Sequence, residues 1–160
     1  FCLSRGLGDV YKRQVLVVGM DSLLTQLARC CKPAPPDEIR GFVTRGKGVS
    51  IHRGNCPNFR ELVSRSPERV IDVQWATGSA NLPAFYPVDI AVEAVDRQGL
   101  LRDISEVFSK ESMNVIGVQT STVKGIAWMT FTVEVTHSGR LAHVLSVVGR
   151  IAGVRHARRQ

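Results

Sequence analysis

Between Val88 and Arg158 the spacing of apolar residues switches back and forth between two and 3.6, the periods of a half-buried strand and of an amphipathic helix. Few folds satisfy that alternation. Val88, Ile90, Val92 and Ala94 alternate with Asp89, Ala91 and Glu93, which predicts a strand with one buried face. Leu100, Leu101, Ile104, Val107 and Phe108 recur at helical spacing with Arg102, Asp103 and Glu106 outside, which predicts a helix over 99–111. Two further strands, 114–122 and 126–135, are joined by the turn Lys124-Gly125. Leu141, Val144, Leu145, Val148 and Ile151 mark a second helix that closes near Gly153, before a last strand over 154–158. The order β-α-β-β-α-β is that of the split βαβ, or ferredoxin-like, sandwich, in which two helices cover one face of a four-stranded antiparallel sheet. That fold hosts many activities, so function has to come from a site.

The first half reads differently. Residues 15–75 fall into short pieces: a strand over 15–18, a helical stretch over 21–29 with Asp21 or Ser22 as N-cap, and a Pro-rich turn over 32–37. A hairpin follows, 41–45 against 49–52 about Gly46-Lys47-Gly48, then a short helix over 57–63 and a strand over 70–75. About sixty residues in such pieces hold only a thin core, so another source of stability is expected. Cys30 and Cys31, then His52 and Cys56, offer it: three thiols and one imidazole, with no carboxylate among them, form a tetrahedral donor set for a structural zinc ion. A seated ion contributes on the order of 10 kcal/mol to folding. Adjacent side chains diverge, so both vicinal cysteines reach one ion only if the backbone turns between them. The alternative for the same residues is a set of reduced, partly buried cysteines around a metal-free core.

Gly41-Phe42-Val43-Thr44-Arg45-Gly46-Lys47 spells most of a phosphate-loop pattern and is rejected as one. Gly48 stands where a hydroxyl is required, and a strand follows where a helix N-terminus is needed. No apolar run approaches the ~20 residues of a membrane span, so no membrane association is expected. The cysteines suit a reducing compartment, which makes the cytoplasm the expected location. Residues 1–14 carry neither period and open on Phe1; they read as a non-native leader, expected to be disordered, and Cys2 is set aside with them. The domain reading is therefore a leader at 1–14, a zinc-finger-like module at 15–75, a linker at 76–85 and the βαββαβ domain at 86–160. The net charge of +7 is spread along the chain and suits either a polyanion such as RNA or an ordinary basic surface. His137, His143 and His156 lack partners at metal spacing and read as surface histidines, while Trp75 and Trp128 read as covers for a core or an interface.

Some of these segments are more than generic. Ala28 to Pro33, Asp37 to Arg53 and Cys56-Pro57 closely resemble the carboxy-terminal regulatory region of the RelA/SpoT family, the long bacterial stringent-response enzymes that make or hydrolyse (p)ppGpp. Asp96 to Ile104 and Asn114 to Val118 resemble the ACT module that ends those enzymes, and Leu101-Arg102-Asp103-Ile104 with Ala157-Arg158-Arg159 is closer to the RelA branch. The resemblance implies a non-catalytic piece of a larger GTP pyrophosphokinase, without the hydrolase, synthetase, TGS and helical domains that precede this region. It implies contact with the ribosome and large-subunit rRNA, and sensing of uncharged tRNA by the full-length protein. By carry-over Cys30, Cys31, His52 and Cys56 match the finger's ligand positions. Arg45, Lys47 and Arg53 are the candidates for phosphate contacts, since Lys and Arg displace counterions from RNA, against the alternative of a solvated hairpin edge. In other ACT proteins the loop after the first strand binds an amino acid at a dimer interface. Here that loop is Asp96, Arg97, Gln98 and Gly99, which makes a branched-chain amino-acid sensor or a homodimerisation module the rival expectation. A tight turn with an N-cap is the plainer reading of the same four residues.

Overall fold

The computed structural model describes residues 15–17, 23–76 and 85–160; the expected leader, Cys2 and most of the expected linker lie outside the described residues. The chain divides into two compact units between Ala84 and Phe85.

In the second unit the predicted elements all form. Strand β7 (Tyr86–Val95) pairs antiparallel with β9 (Ile126–Val135) over ten residues, from Tyr86 opposite Val135 to Val95 opposite Ile126. Strands β8 (Asn114–Val123) and β10 (Val154–Arg159) flank them, giving the order β10-β7-β9-β8. Helices α2 (Leu100–Lys110) and α3 (Leu141–Gly149) supply the apolar stripe. Val88, Ile90, Val92, Phe131 and Val133 are buried together with Ile104, Phe108, Val144 and Val148. The Phe108 and Phe131 rings meet at 5.2 Å between centroids, tilted by 52°. Each such side chain withdrawn from water stabilises the unit by roughly 1.5–3 kcal/mol before entropy is charged against it. The α+β class and the ferredoxin-like βαββαβ sandwich expected from the periodicity are therefore present.

The first unit is built on a four-stranded sheet in the order β2 (Thr25–Leu27), β4 (Gly48–Arg53), β3 (Ile39–Thr44), β5 (Val70–Ile71), and a two-stranded ribbon of β1 (Val15–Val17) and β6 (Val73–Trp75). The predicted hairpin is β3 (Ile39–Thr44) and β4 (Gly48–Arg53), in register from Ile39 opposite Arg53 to Thr44 opposite Gly48. Helix α1 (Pro57–Arg65) follows, with Pro57 in its first turn where its missing N–H costs nothing. Two expectations need correction. The helical stretch over 21–29 is not helical in its described part: Thr25–Leu27 is strand β2, which runs parallel to β4. Long-range pairing overrides the local pattern there, because Val49 N–H donates to the Leu24 carbonyl and Ala28 N–H to that of Ile51, both at 2.8 Å. The strand expected over 70–75 breaks at Asp72 into β5 (Val70–Ile71), which pairs with β3, and β6 (Val73–Trp75), which pairs with β1 (Val15–Val17). One small core gathers Val15, Ile39, Val49, Ile51 and Val73; a second, around Phe42 and Phe59, contains Cys31 and Cys56. Among the described residues no helix is long and apolar enough to cross a membrane.

Candidate metal centre

Three pieces of the first unit bring the four soft side chains together. After β2 the chain turns over Arg29, Cys30 and Cys31, closed by Lys32 N–H to the Ala28 carbonyl at 3.0 Å, with Lys32 itself at φ 40°. That bend is the backbone turn the vicinal pair requires, and it sends both sulfurs the same way. His52 lies near the end of β4, and Cys56 is the N-cap of α1.

The donor atoms Cys30 Sγ, Cys31 Sγ, His52 Nδ1 and Cys56 Sγ all lie within 4.8 Å of one another. Cys30 Sγ is 3.7 Å from Cys56 Sγ and 3.5 Å from His52 Nδ1, and Cys31 Sγ is 3.8 Å from the same nitrogen. The edge of a tetrahedron with metal–sulfur bonds of about 2.3 Å is about 3.8 Å, so these separations fit one tetrahedral ion. Cys31, His52 and Cys56 are buried, at 3%, 5% and 1% exposure, while Cys30 is exposed. The cluster can hold a metal, and all four positions about it come from protein.

Burial and the local N–H donors pull its thiols in opposite directions. Burial pushes the Cys31 thiol up to about 12, against the opposing pull of the Arg53 backbone N–H, which lies 3.4 Å from the sulfur. Burial also raises Cys30, partly offset by the Asn58 side chain. At Cys56 burial pushes up as well, but the Phe59 N–H, the Cys30 and Cys31 thiols and the Asn58 N–H together pull its thiol below the ordinary value. Those two N–H groups open helix α1, whose N-terminal end stabilises negative charge. Burial lowers His52 from its ordinary value and keeps the ring neutral, the form a metal requires. His52 Nε2 faces Ser50 Oγ at 3.0 Å, and the ring lies 5.5 Å from Phe59, tilted by 32°. Ser50 and Asn58 escaped the sequence reading because polar residues beside a cysteine or histidine are common; only the two-residue offset of Ser50 on the predicted strand hinted at a shared face.

The other candidate residues are dispersed. Arg45 and Lys47 are exposed at the hairpin turn, but Arg53 is half-buried at the far end of β4, roughly 17 Å away by strand rise, so the three do not form one ridge. The loop Asp96, Arg97, Gln98 and Gly99 precedes α2, with Gly99 at φ 81°. Its cation is already engaged: Arg97 Nη2 donates to Asp103 Oδ2 at 2.7 Å, Nε to the Ala152 carbonyl at 2.9 Å and Nη1 to that of Gln98 at 3.2 Å. Arg97 and then Arg102 hold the Asp103 carboxyl below the usual range. Trp75 is half-buried and its indole N–H donates to the Asp37 carbonyl, whereas Trp128 is 52% exposed on the open face of the sheet and covers no core.

Comparison with known proteins places both units. Residues 15–76 match the RelA/SpoT RIS domain and residues 83–159 the ACT domain. A GTP pyrophosphokinase of Escherichia coli K12 is 39% identical over 148 residues, and one of Streptomyces coelicolor is 44% identical over 142. The matches cover 91% and 88% of this chain but only 20% and 16% of those relatives. Among solved structures, the crystal structure of the ACT domain from the GTP pyrophosphokinase of Chlorobium tepidum covers 48% of this chain and 100% of its own, with a TM-score of 0.44 and 19% identity.

Proposed function

Because this chain is a RIS–ACT segment of the RelA/SpoT family, we propose that it is the non-catalytic regulatory part of a longer GTP pyrophosphokinase, built on a structural zinc ion and docked on ribosomal RNA. The donor cluster carries this reading. Cys30, Cys31, His52 and Cys56 would hold the zinc, whose contribution is a cross-link between the β2 turn, β4 and α1, since four protein donors leave no position open for substrate. The cross-link stiffens the hairpin whose turn presents Arg45 and Lys47 to solvent. Two exposed cations on a rigid loop suit phosphate contacts on large-subunit rRNA. Through that contact the full-length protein, in the cytoplasm, would register uncharged tRNA and couple amino-acid starvation to alarmone synthesis. Sedimentation of the protein with ribosomes at increasing salt tests it. Association should weaken with salt, and Arg45→Glu with Lys47→Glu should lower affinity and flatten the salt dependence by about 0.7–0.9 log units per lost phosphate contact. Unchanged binding by the double variant removes the hairpin from the reading.

The amino-acid sensor has less in its favour, because the Arg97 guanidinium is occupied by Asp103 and by two carbonyls and leaves the loop braced. Self-association has a specific observation behind it. Strand β8 is a ten-residue edge with Ile116, Val118 and Val123 at 52%, 43% and 56% exposure, whereas the opposite edge β10 carries Arg155, Arg158 and Arg159. Both edges carry a register shift, so what separates them is charge, which protects β10 in a way that β8 lacks.

A further inference from the structure

The metal reading leaves one part-buried contact without a role. His52 is held at both ring nitrogens: Nδ1 faces the sulfurs of Cys30 and Cys31 at 3.5 and 3.8 Å, and Nε2 faces Ser50 Oγ at 3.0 Å. Ser50 sits two residues before His52 on β4, so strand geometry alone puts both side chains on one face. The strand is pinned on both sides there, with Gln26 of β2 and Phe42 of β3 opposite Ser50. Neither the hydroxyl nor the ring can drift far from the other.

We propose that Ser50 is the positioning residue that selects Nδ1 of His52 as the metal-binding nitrogen; this rests on the zinc reading above. A neutral imidazole carries one N–H, and the nitrogen that binds a metal must be the other one. With Nδ1 turned to the ion, the ring proton resides on Nε2 of a side chain that is only 5% exposed, and it needs an acceptor. Ser50 Oγ is that acceptor. Without the ion, the proton can sit on Nδ1 facing the Cys30 sulfur, and the same hydroxyl then donates to Nε2. A hydroxyl serves both states by rotating about one bond, a methyl group serves neither, and a carboxylate would serve only the first. The Phe59 ring 5.5 Å away adds a steric guide but offers Nε2 no partner.

The test uses the full chain with Ser50→Ala and Ser50→Thr, and zinc as the probe. Zinc affinity is measured by competition with a chromophoric chelator, and the tautomer by long-range proton–nitrogen NMR of the His52 ring. The expected results are an Nε2–H ring in the zinc-loaded protein, a ten- to hundredfold loss of affinity in Ser50→Ala, and recovery in Ser50→Thr. An Nδ1–H ring in the loaded wild type overturns the assignment even if Ser50→Ala fails to fold. Equal affinity of Ser50→Ala and wild type overturns it while leaving the zinc reading intact. A wild-type chain that takes up no zinc overturns both.

Discussion

Cys31 concentrates the chemistry of the first unit in one side chain. The residue is 3% exposed, its sulfur lies 3.8 Å from His52 Nδ1, and burial pushes the thiol up to about 12, so without a cation it stays neutral among apolar neighbours. A bound ion reverses that preference by pairing with the thiolate. Cys31→Ser, which offers a hard oxygen where a soft donor is needed, should therefore abolish metal uptake and lower the stability of the RIS unit by several kcal/mol of the order-of-10 kcal/mol a structural zinc supplies. The melting of the ACT unit should stay where it is. Metal analysis together with calorimetry checks both, and one zinc per chain in the variant would count against Cys31 as a ligand. The four donors were readable from one dimension because residue type and order name them. Arg53 was not, since its exposure depends on which atoms cover the end of β4, and neither was Ser50, whose meaning lies in what its hydroxyl faces.

At the next scale, alternation told strands and helices apart wherever an element was long. The ten-residue strands β7 and β9 and helix α2 had several turns or pleats over which a period could declare itself. Residues 23–29 had too few. Leu23, Leu24 and Leu27 fall at helical spacing, yet Leu23 and Leu24 are 40% and 58% exposed while Thr25 and Ala28 are buried, a pattern created by β4 and invisible without it. Gly48 marks how tightly that pairing is drawn. It sits at φ 79°, and a Cβ there would come within 2.2 Å of the Leu24 carbonyl oxygen. Gly46, also at φ 79°, has nothing within 4 Å. Both positions punish a side chain for the left-handed backbone, by about 1 kcal/mol, but only one also collides. Gly48→Ala should cost at least about 2 kcal/mol more than Gly46→Ala in denaturant unfolding of the RIS unit. Equal costs would mean that β2 does not lie against the hairpin turn.

For the molecule as a whole, the two-unit division followed from the change in texture between short pieces and long periodic elements, and each unit closes its own core. What one dimension could not supply is which sheet edge stays bare, because that depends on where α2 and α3 lie over the strands. If β8 joins two copies, the protein should show a concentration-dependent mass in sedimentation. Ile116→Lys with Val118→Lys should then shift it to monomer without loss of fold, since both side chains already stand in solvent. A mass independent of concentration in wild type removes that reading. The cluster also has a topological side. Cys30 and Cys31 lie before the hairpin and His52 and Cys56 after its turn, so a seated ion ties the segment between them into a closed ring with Arg45 and Lys47 at its outermost bend. Trypsin nicking that bend would leave two fragments travelling as one particle in a native gel, and they would part once a chelator undid the knot.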